Sequence, residues 1–173
     1  MLQPVDIAVA FAAAYRWKQD GAWSPKDVHD DLGLAWSSLN LSLQRLGEAN
    51  IVRRGRVHRQ ALAALLPVLQ YLVPARPDLA RRVVGVPTGA SAPVFEDRIL
   101  SAIPLVWESE HGGVEGAFVQ PLHPSIPDAV SEDPARYALF ACLDAARSGR
   151  AREYGIAAEK IRELAGLPTP VEV

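Results

Sequence analysis

A chain of 173 residues is long enough for one ordinary domain or two small ones sharing a core, and 49% apolar against 22% charged residues excludes a fibrous or wholly disordered protein. The longest strongly apolar run, PVDIAVAFAAAY at 4–15, contains Asp6, falls short of the roughly 20 residues of a membrane span and has no secretory-signal pattern, so the expected location is the cytoplasm. The net charge of −2 conceals an asymmetry: residues 1–82 carry 11 Lys+Arg against 7 Asp+Glu and residues 83–173 carry 7 against 13, as expected of a nucleic-acid-facing part joined to one that does not bind.

In chain order, Pro4 to Gln19 is a helix apolar on more than one face, with Val5, Val9 and Ala12 on one side and Ile7, Phe11 and Ala14 on another. Such a helix is buried between two layers or in a subunit interface, and Gly21 ends it. In WSPKDVHDDLGLAW, Ser24 is placed to cap a second helix whose first position is Pro25, where the missing N–H costs nothing. Asp27 suits the dipole of its first turn, Val28 and Leu32 face inward, and Gly33 supplies the left-handed stop. A third helix is predicted from near Ala35 to Ser37 as far as about Ala49, with Leu39, Leu43 and Leu46 as its core stripe. Trp36, Ser37, Ser38, Asn40, Leu41, Gln44 and Arg45 are left facing out. IVRRGRVHR then has two β-prone pieces, Ile51-Val52 and Val57-His58, about a glycine: a small hairpin with Arg53, Arg54, Arg56 and Arg59 at or near its tip. From Arg59 to Val73 leucines recur at helical spacing across Pro67, which is expected to kink the helix. That stripe and the first helix together expose more apolar surface than a small module tolerates, so a twofold dimer is expected unless the rest of the chain covers it.

The stretch SPKDVHDDLGLAWSSLNLSLQRLGEANIVRRGRVHR, residues 24–59, resembles the winged helix-turn-helix of MarR-like bacterial transcription regulators. It has a short helix, a glycine turn and a helix with three leucines, then L-G-E-A-N-I-V where those families have L-x-x-x-G-[LIV]-[LIV], and a basic wing. The resemblance covers about the first third of the chain. It implies that the exposed face of the third helix enters the major groove while the wing touches phosphate or the minor groove. Carried over, Ser37, Ser38, Asn40 and Gln44 are the base-edge residues, and Arg45, Arg53, Arg54, Arg56 and Arg59 hold phosphates. Two departures stand out: Trp36 and Leu41 are large apolar residues on the face that should meet DNA, and Asn50 replaces the usual glycine, although asparagine tolerates the left-handed conformation. The alternative is a helix of the same shape packed on another protein or on the chain's own second half.

PARPDLARRVVGVPTGASAPVFEDR, with prolines at 74, 77, 87 and 93, reads as a connector that winds over a surface, with one helical turn at Asp78 to Val83 and with Arg81 and Arg82 solvated. The expected division is therefore a winged helix at 1–75, a connector at 76–93 and an α+β module at 94–173. In that module a short helix is predicted around Phe95 to Ala102, and PLVWESEHGGVEGAFVQPL reads as a β-hairpin about His111-Gly112-Gly113. PLHPSIP is expected to be a rigid, exposed loop. Asp133-Pro134 starts a buried helix over Arg136 to Ser148 that Gly149 caps, a last helix runs from Ala151 to Ala165, and GLPTPVEV should fray. The single cysteine, Cys142, excludes an internal disulfide and reads as a small buried apolar residue.

Glu108, Glu110, His111, Glu115 and His123 lie within sixteen residues but show no compact ligand spacing such as H-E-x-x-H, and no G-x-S-x-G, Walker loop or G-x-G-x-x-G occurs. A solvated strand edge accounts for the carboxylates, and His123 is expected to hydrogen-bond its own loop. No catalytic, metal or cofactor site is expected. Arg147, Arg150, Arg152 and Glu153 read as an ion-pair network at a helix junction, with an anion contact as the sharper alternative.

The expected protein is thus mostly α with small β, an α+β fold. Its expected function is that of a homodimeric DNA-binding transcription regulator, a repressor on a palindromic operator. A protein partner and a small effector are both candidates for its C-terminal module. The alternative function is antitoxin-like or adaptor, with a C-terminal module that restrains a partner protein and DNA binding autoregulatory or absent; some antitoxins resemble this layout.

Overall fold

The computed structural model describes residues 1–99 and 101–169. The fold is α+β, in the order α1 (Pro4–Asp20), α2 (Pro25–Leu32), α3 (Trp36–Glu48), β1 (Val52–Arg53), β2 (Arg56–Val57), α4 (Arg59–Leu65), α5 (Leu69–Leu72), β3 (Asp78–Pro87), β4 (Leu105–Glu108), β5 (Val114–Phe118), α6 (Ile126–Val130), α7 (Pro134–Arg147) and α8 (Ala151–Ala165). None of the described helices is long and apolar enough to cross a membrane.

The sequence of α1 is apolar all round because the helix lies between two layers of its own chain. It packs on α2 and α3 on one side and on α8 on another, and every side chain from Ile7 to Ala14 is at most 1% exposed. Two buried carboxylates fix its ends. Asp6 closes a capping box at the N-terminus, accepting from the Gln3 amide at 2.6 Å. Near the other end Arg16 holds Asp31 of α2 through two bonds, Nε at 2.6 Å and Nη2 at 2.8 Å, and Arg136 of α7 approaches the same carboxylate at 3.3 Å. Three helices are thereby tied at one nearly buried charge.

Pro67 breaks the next helix as its missing N–H dictates: α4 gives way to a 3-10 turn at Leu66–Val68, and α5 follows. Leu62, Leu66, Leu69 and Val73 are buried, and α5 packs on α7. Most of the apolar stripe that suggested a dimer is therefore covered within the chain, and Val68, Tyr71 and Leu72 are what remains exposed.

The expected connector at 76–93 is instead largely a strand. β3 pairs antiparallel with both β4 and β5, and β4 and β5 meet in parallel at Leu105–Ala117 and Val106–Phe118, so three strands close on themselves. The predicted β4–β5 hairpin is likewise corrected: both strands run against β3, and 109–113 crosses between them. Such tight closure requires backbones to touch. A Cβ on Gly85 would lie 1.8 Å from the Trp107 carbonyl oxygen, one on Gly112 2.0 Å from Gly85, and one on Gly116 2.2 Å from the Pro104 carbonyl oxygen. Arg81, expected to be solvated, pairs with Glu108 at 2.7 Å and lies 3.9 Å above the Phe118 ring. The predicted helix after this segment is a 3-10 stretch over Pro93–Arg98, and Leu100, within the predicted span, lies outside the described residues, as do residues 170–173 of the expected fray.

Asp144 on α7 joins sheet to helices. Its carboxylate accepts from Trp107 Nε1 at 2.7 Å, Thr88 Oγ1 at 2.8 Å and Arg147 Nη1 at 2.5 Å, and Arg147 Nε donates to the Val73 carbonyl at 2.6 Å. Arg147 is thus a buried structural cation, Arg150 pairs with Glu153 at 3.3 Å, and Arg152 donates to the Arg98 carbonyl. The ion-pair reading of that cluster describes it. Cys142 is 1% exposed, and burial pushes its thiol up to about 12.

PLHPSIP is not the exposed loop expected. Leu122, Ile126 and Pro127 are buried and the segment turns into α6. His123 Nδ1 accepts from the Ser125 amide at 3.2 Å, and Ser125 Oγ donates to the Leu32 carbonyl at 2.7 Å. Burial pulls the His123 imidazole below its ordinary value. The second half of the chain therefore grips the turn that ends α2. A single apolar cluster includes Leu39 and Leu62 from the first half with Trp107, Phe140 and Ile161 from the second, so the division expected near residues 75–93 separates no cores.

Candidate nucleic-acid interface

The geometry of the first 59 residues follows from its caps. Ser24 Oγ accepts from the Asp27 amide at 3.2 Å while Asp27 Oδ2 accepts from the Ser24 amide at 2.8 Å, a reciprocal box that starts α2. Gly33, at φ 62, closes α2 with a bond to the His29 carbonyl. The left-handed Gly33 turns the chain out of α2, and Leu34, which follows, is buried.

On α3, Leu39, Ser42 and Leu46 are buried while Ser37, Asn40, Leu41 and Gln44 face out. Ser38 is half-buried at the flank. Leu43, expected in the core stripe, is only partly buried, and Ser42 takes the place inside, its hydroxyl without a hydrogen-bond partner among the described residues. The outward face is not covered by the second half of the chain: Trp36 is 47% exposed and Leu41 56%. Trp36 is held in place by stacking on His29, ring centroids 4.2 Å apart and planes 18° from parallel. Asp30 accepts from Lys26 and contacts His29, and those two, Lys26 first, pull its carboxyl below the ordinary value.

Arg45 departs from its expected role. Its Nε and Nη2 each donate to buried Asp6 at 2.8 Å, so the one basic residue of α3 neutralises a carboxylate that is 0% exposed instead of waiting for phosphate. Nothing local in the sequence signals this pair, because its partners are 39 residues apart.

Beyond α3, Asn50 is left-handed at φ 57, the conformation expected of a residue standing in for glycine. β1 and β2 pair Val52 with Val57 and Arg53 with Arg56, leaving a two-residue turn of Arg54 and Gly55. Both turn residues have positive φ, 50 and 71, as a primed hairpin turn requires. Arg53, Arg54 and Arg56 are exposed on this hairpin. His58, expected in the strand, caps α4 by accepting from the Ala61 amide. Arg59 is anchored to the body: it donates to the Gly166 carbonyl at 2.9 Å and its guanidinium lies 4.3 Å from the Trp17 ring centroid. An open groove of about 1070 Å³ runs beside the hairpin, lined by Arg53, Arg54, Arg56, Arg59 and the Gly166–Pro168 segment.

The chain matches no family model, no curated protein and no solved structure. The nine expected contact residues are therefore placed by geometry alone. Seven of them are exposed, and six of these, Ser37, Asn40, Gln44, Arg53, Arg54 and Arg56, make two groups, one neutral and polar, one cationic. Ser38 sits at the edge, and Arg45 and Arg59 are engaged elsewhere. Among the described residues no group of three or more His, Cys, Asp or Glu side chains could hold a metal ion.

Proposed function

We propose that this protein is a DNA-binding transcription regulator of the winged helix-turn-helix kind, similar to MarR-like regulators. In this reading α3 lies in the major groove and the Arg53–Arg56 hairpin is a wing on the phosphates. The observation that carries it is the uncovered outer face of α3, furnished with Ser37, Asn40 and Gln44, together with three exposed arginines on the β1–β2 hairpin. A neutral reading helix beside a cationic wing divides sequence recognition from backbone positioning. The charge division of the chain adds to this, since the acidic second half repels a duplex and turns the basic first half toward it.

A second copy is the proposed partner, docking through Val68, Tyr71 and Leu72, the exposed remnant of the α4–α5 stripe. A twofold dimer sets two α3 helices on successive half-sites. Repression of a palindromic operator and a cytoplasmic location complete the reading.

The test is fluorescence anisotropy of the protein with a labelled duplex from its own upstream region and with a scrambled duplex. Preference for the native duplex, with affinity falling steeply as salt rises, supports sequence-specific binding. Absence of binding to either duplex at low salt turns the face bearing Trp36 and Leu41 into a protein interface and favours the adaptor function.

A further inference from the structure

We infer that the reading face of α3 is built for A·T base pairs, so that the core of each half-site in the major groove is A·T. This rests on the DNA-binding function proposed above and names the sequence class that the face accepts.

The inference begins with what the face lacks. Guanine presents two acceptors, O6 and N7, and its commonest reader is an arginine or lysine fork. The only cation of α3 is Arg45, and its Nε and Nη2 are both held at 2.8 Å by buried Asp6. Turning Arg45 to a base would leave Asp6 charged, buried and unpaired, so the guanine reader is locked out of the groove by the fold itself. The other arginines nearby, at 53, 54 and 56, are on the hairpin and not on α3.

What the face holds is the complement of an A·T pair. Asn40 and Gln44, one turn apart and exposed, each offer an amide donor and acceptor, the pattern that meets adenine N6 and N7. Leu41 and Trp36, anomalous on a polar surface, match the only apolar group in the major groove, the thymine C5-methyl. The stack of Trp36 on His29 holds the indole in one orientation at the start of α3, the end of a recognition helix that contacts bases. Glu48, whose carboxylate suits cytosine, sits in the last turn, where Gln44 donates to it at 3.2 Å.

The experiment selects duplexes from a random pool with the intact protein, then measures affinity after replacing thymine with uracil, which removes the methyl alone. Expected are half-sites with an A·T core, a loss of about 5- to 150-fold when a contacted A·T pair becomes G·C, and a loss of about fourfold per contacted methyl removed. Leu41→Ala, on an exposed side chain that leaves the fold intact, should lose the uracil–thymine difference at the methyl that Leu41 contacts and keep it at the one that Trp36 contacts. Selected cores rich in G·C, or indifference of the wild-type protein to uracil, would overturn the A·T readout while leaving DNA binding standing. A pool from which nothing is enriched overturns both.

Discussion

Arg45 illustrates how one residue can satisfy a motif and still serve the core. Removing it would leave Asp6, 0% exposed, without its counter-ion, and breaking a buried pair from one side costs about 3–5 kcal/mol. Arg45→Ala should therefore shift the urea midpoint strongly toward instability; a midpoint within error of wild type would show that Asp6 finds another partner. Ser42 makes the opposite case. Its hydroxyl is buried without a partner among the described residues, and such a group costs about 1–3 kcal/mol. Ser42→Ala should stabilise the protein by about 1 kcal/mol in the same measurement, and a loss of stability would reveal an unrecognised bond.

Among the elements, the closed three-stranded sheet is the most demanding. Gly116 has no room for a methyl, since its Cβ would lie 2.2 Å from the Pro104 carbonyl oxygen. Gly116→Ala must push strands apart, with a cost of about 1–3 kcal/mol or more, read as a lowered thermal midpoint; an unchanged midpoint would argue against the closure. This sheet is also where the sequence was hardest to read. The helices announce themselves locally: Ser24-Pro25 and Asp133-Pro134 start helices, Gly33 stops one within a turn, and α8 has the predicted bounds. β3 does not, because prolines at 74, 77, 87 and 93 lie around and at the end of it and its pairing partners lie about twenty to forty residues downstream. β4 and β5 are separated by a hairpin-like loop, yet their directions are set by β3 and not by that loop. In the candidate interface the split is similar. The outward residues of α3 and the turn of the hairpin follow from periodicity and a glycine, whereas the engagement of Arg45 with Asp6 and of Arg59 with Gly166 depends on contacts 39 and 107 residues away.

At the scale of the molecule, α1 is shared: α3 and α8 pack against the same helix, and one apolar cluster includes both halves. The halves should therefore unfold together. Three of the four tryptophans, Trp17, Trp23 and Trp36, lie in the first half, and Cys142, 1% exposed, reports on the second. Tryptophan fluorescence and Cys142 labelling should give one urea midpoint, and two separated midpoints would restore an independent N-terminal module.

The central claim is that the outer face of α3 reads duplex DNA while the arginine hairpin anchors it. Its most direct test is the salt dependence of DNA affinity for the wild-type protein and for Arg53→Ala with Arg54→Ala. Both arginine side chains are exposed on the β1–β2 hairpin, so the double variant keeps its fold. The account predicts weaker binding across all sequences and a salt slope reduced by about two for each protomer bound. An unchanged affinity and slope would contradict it, because the duplex would then be held by some other surface.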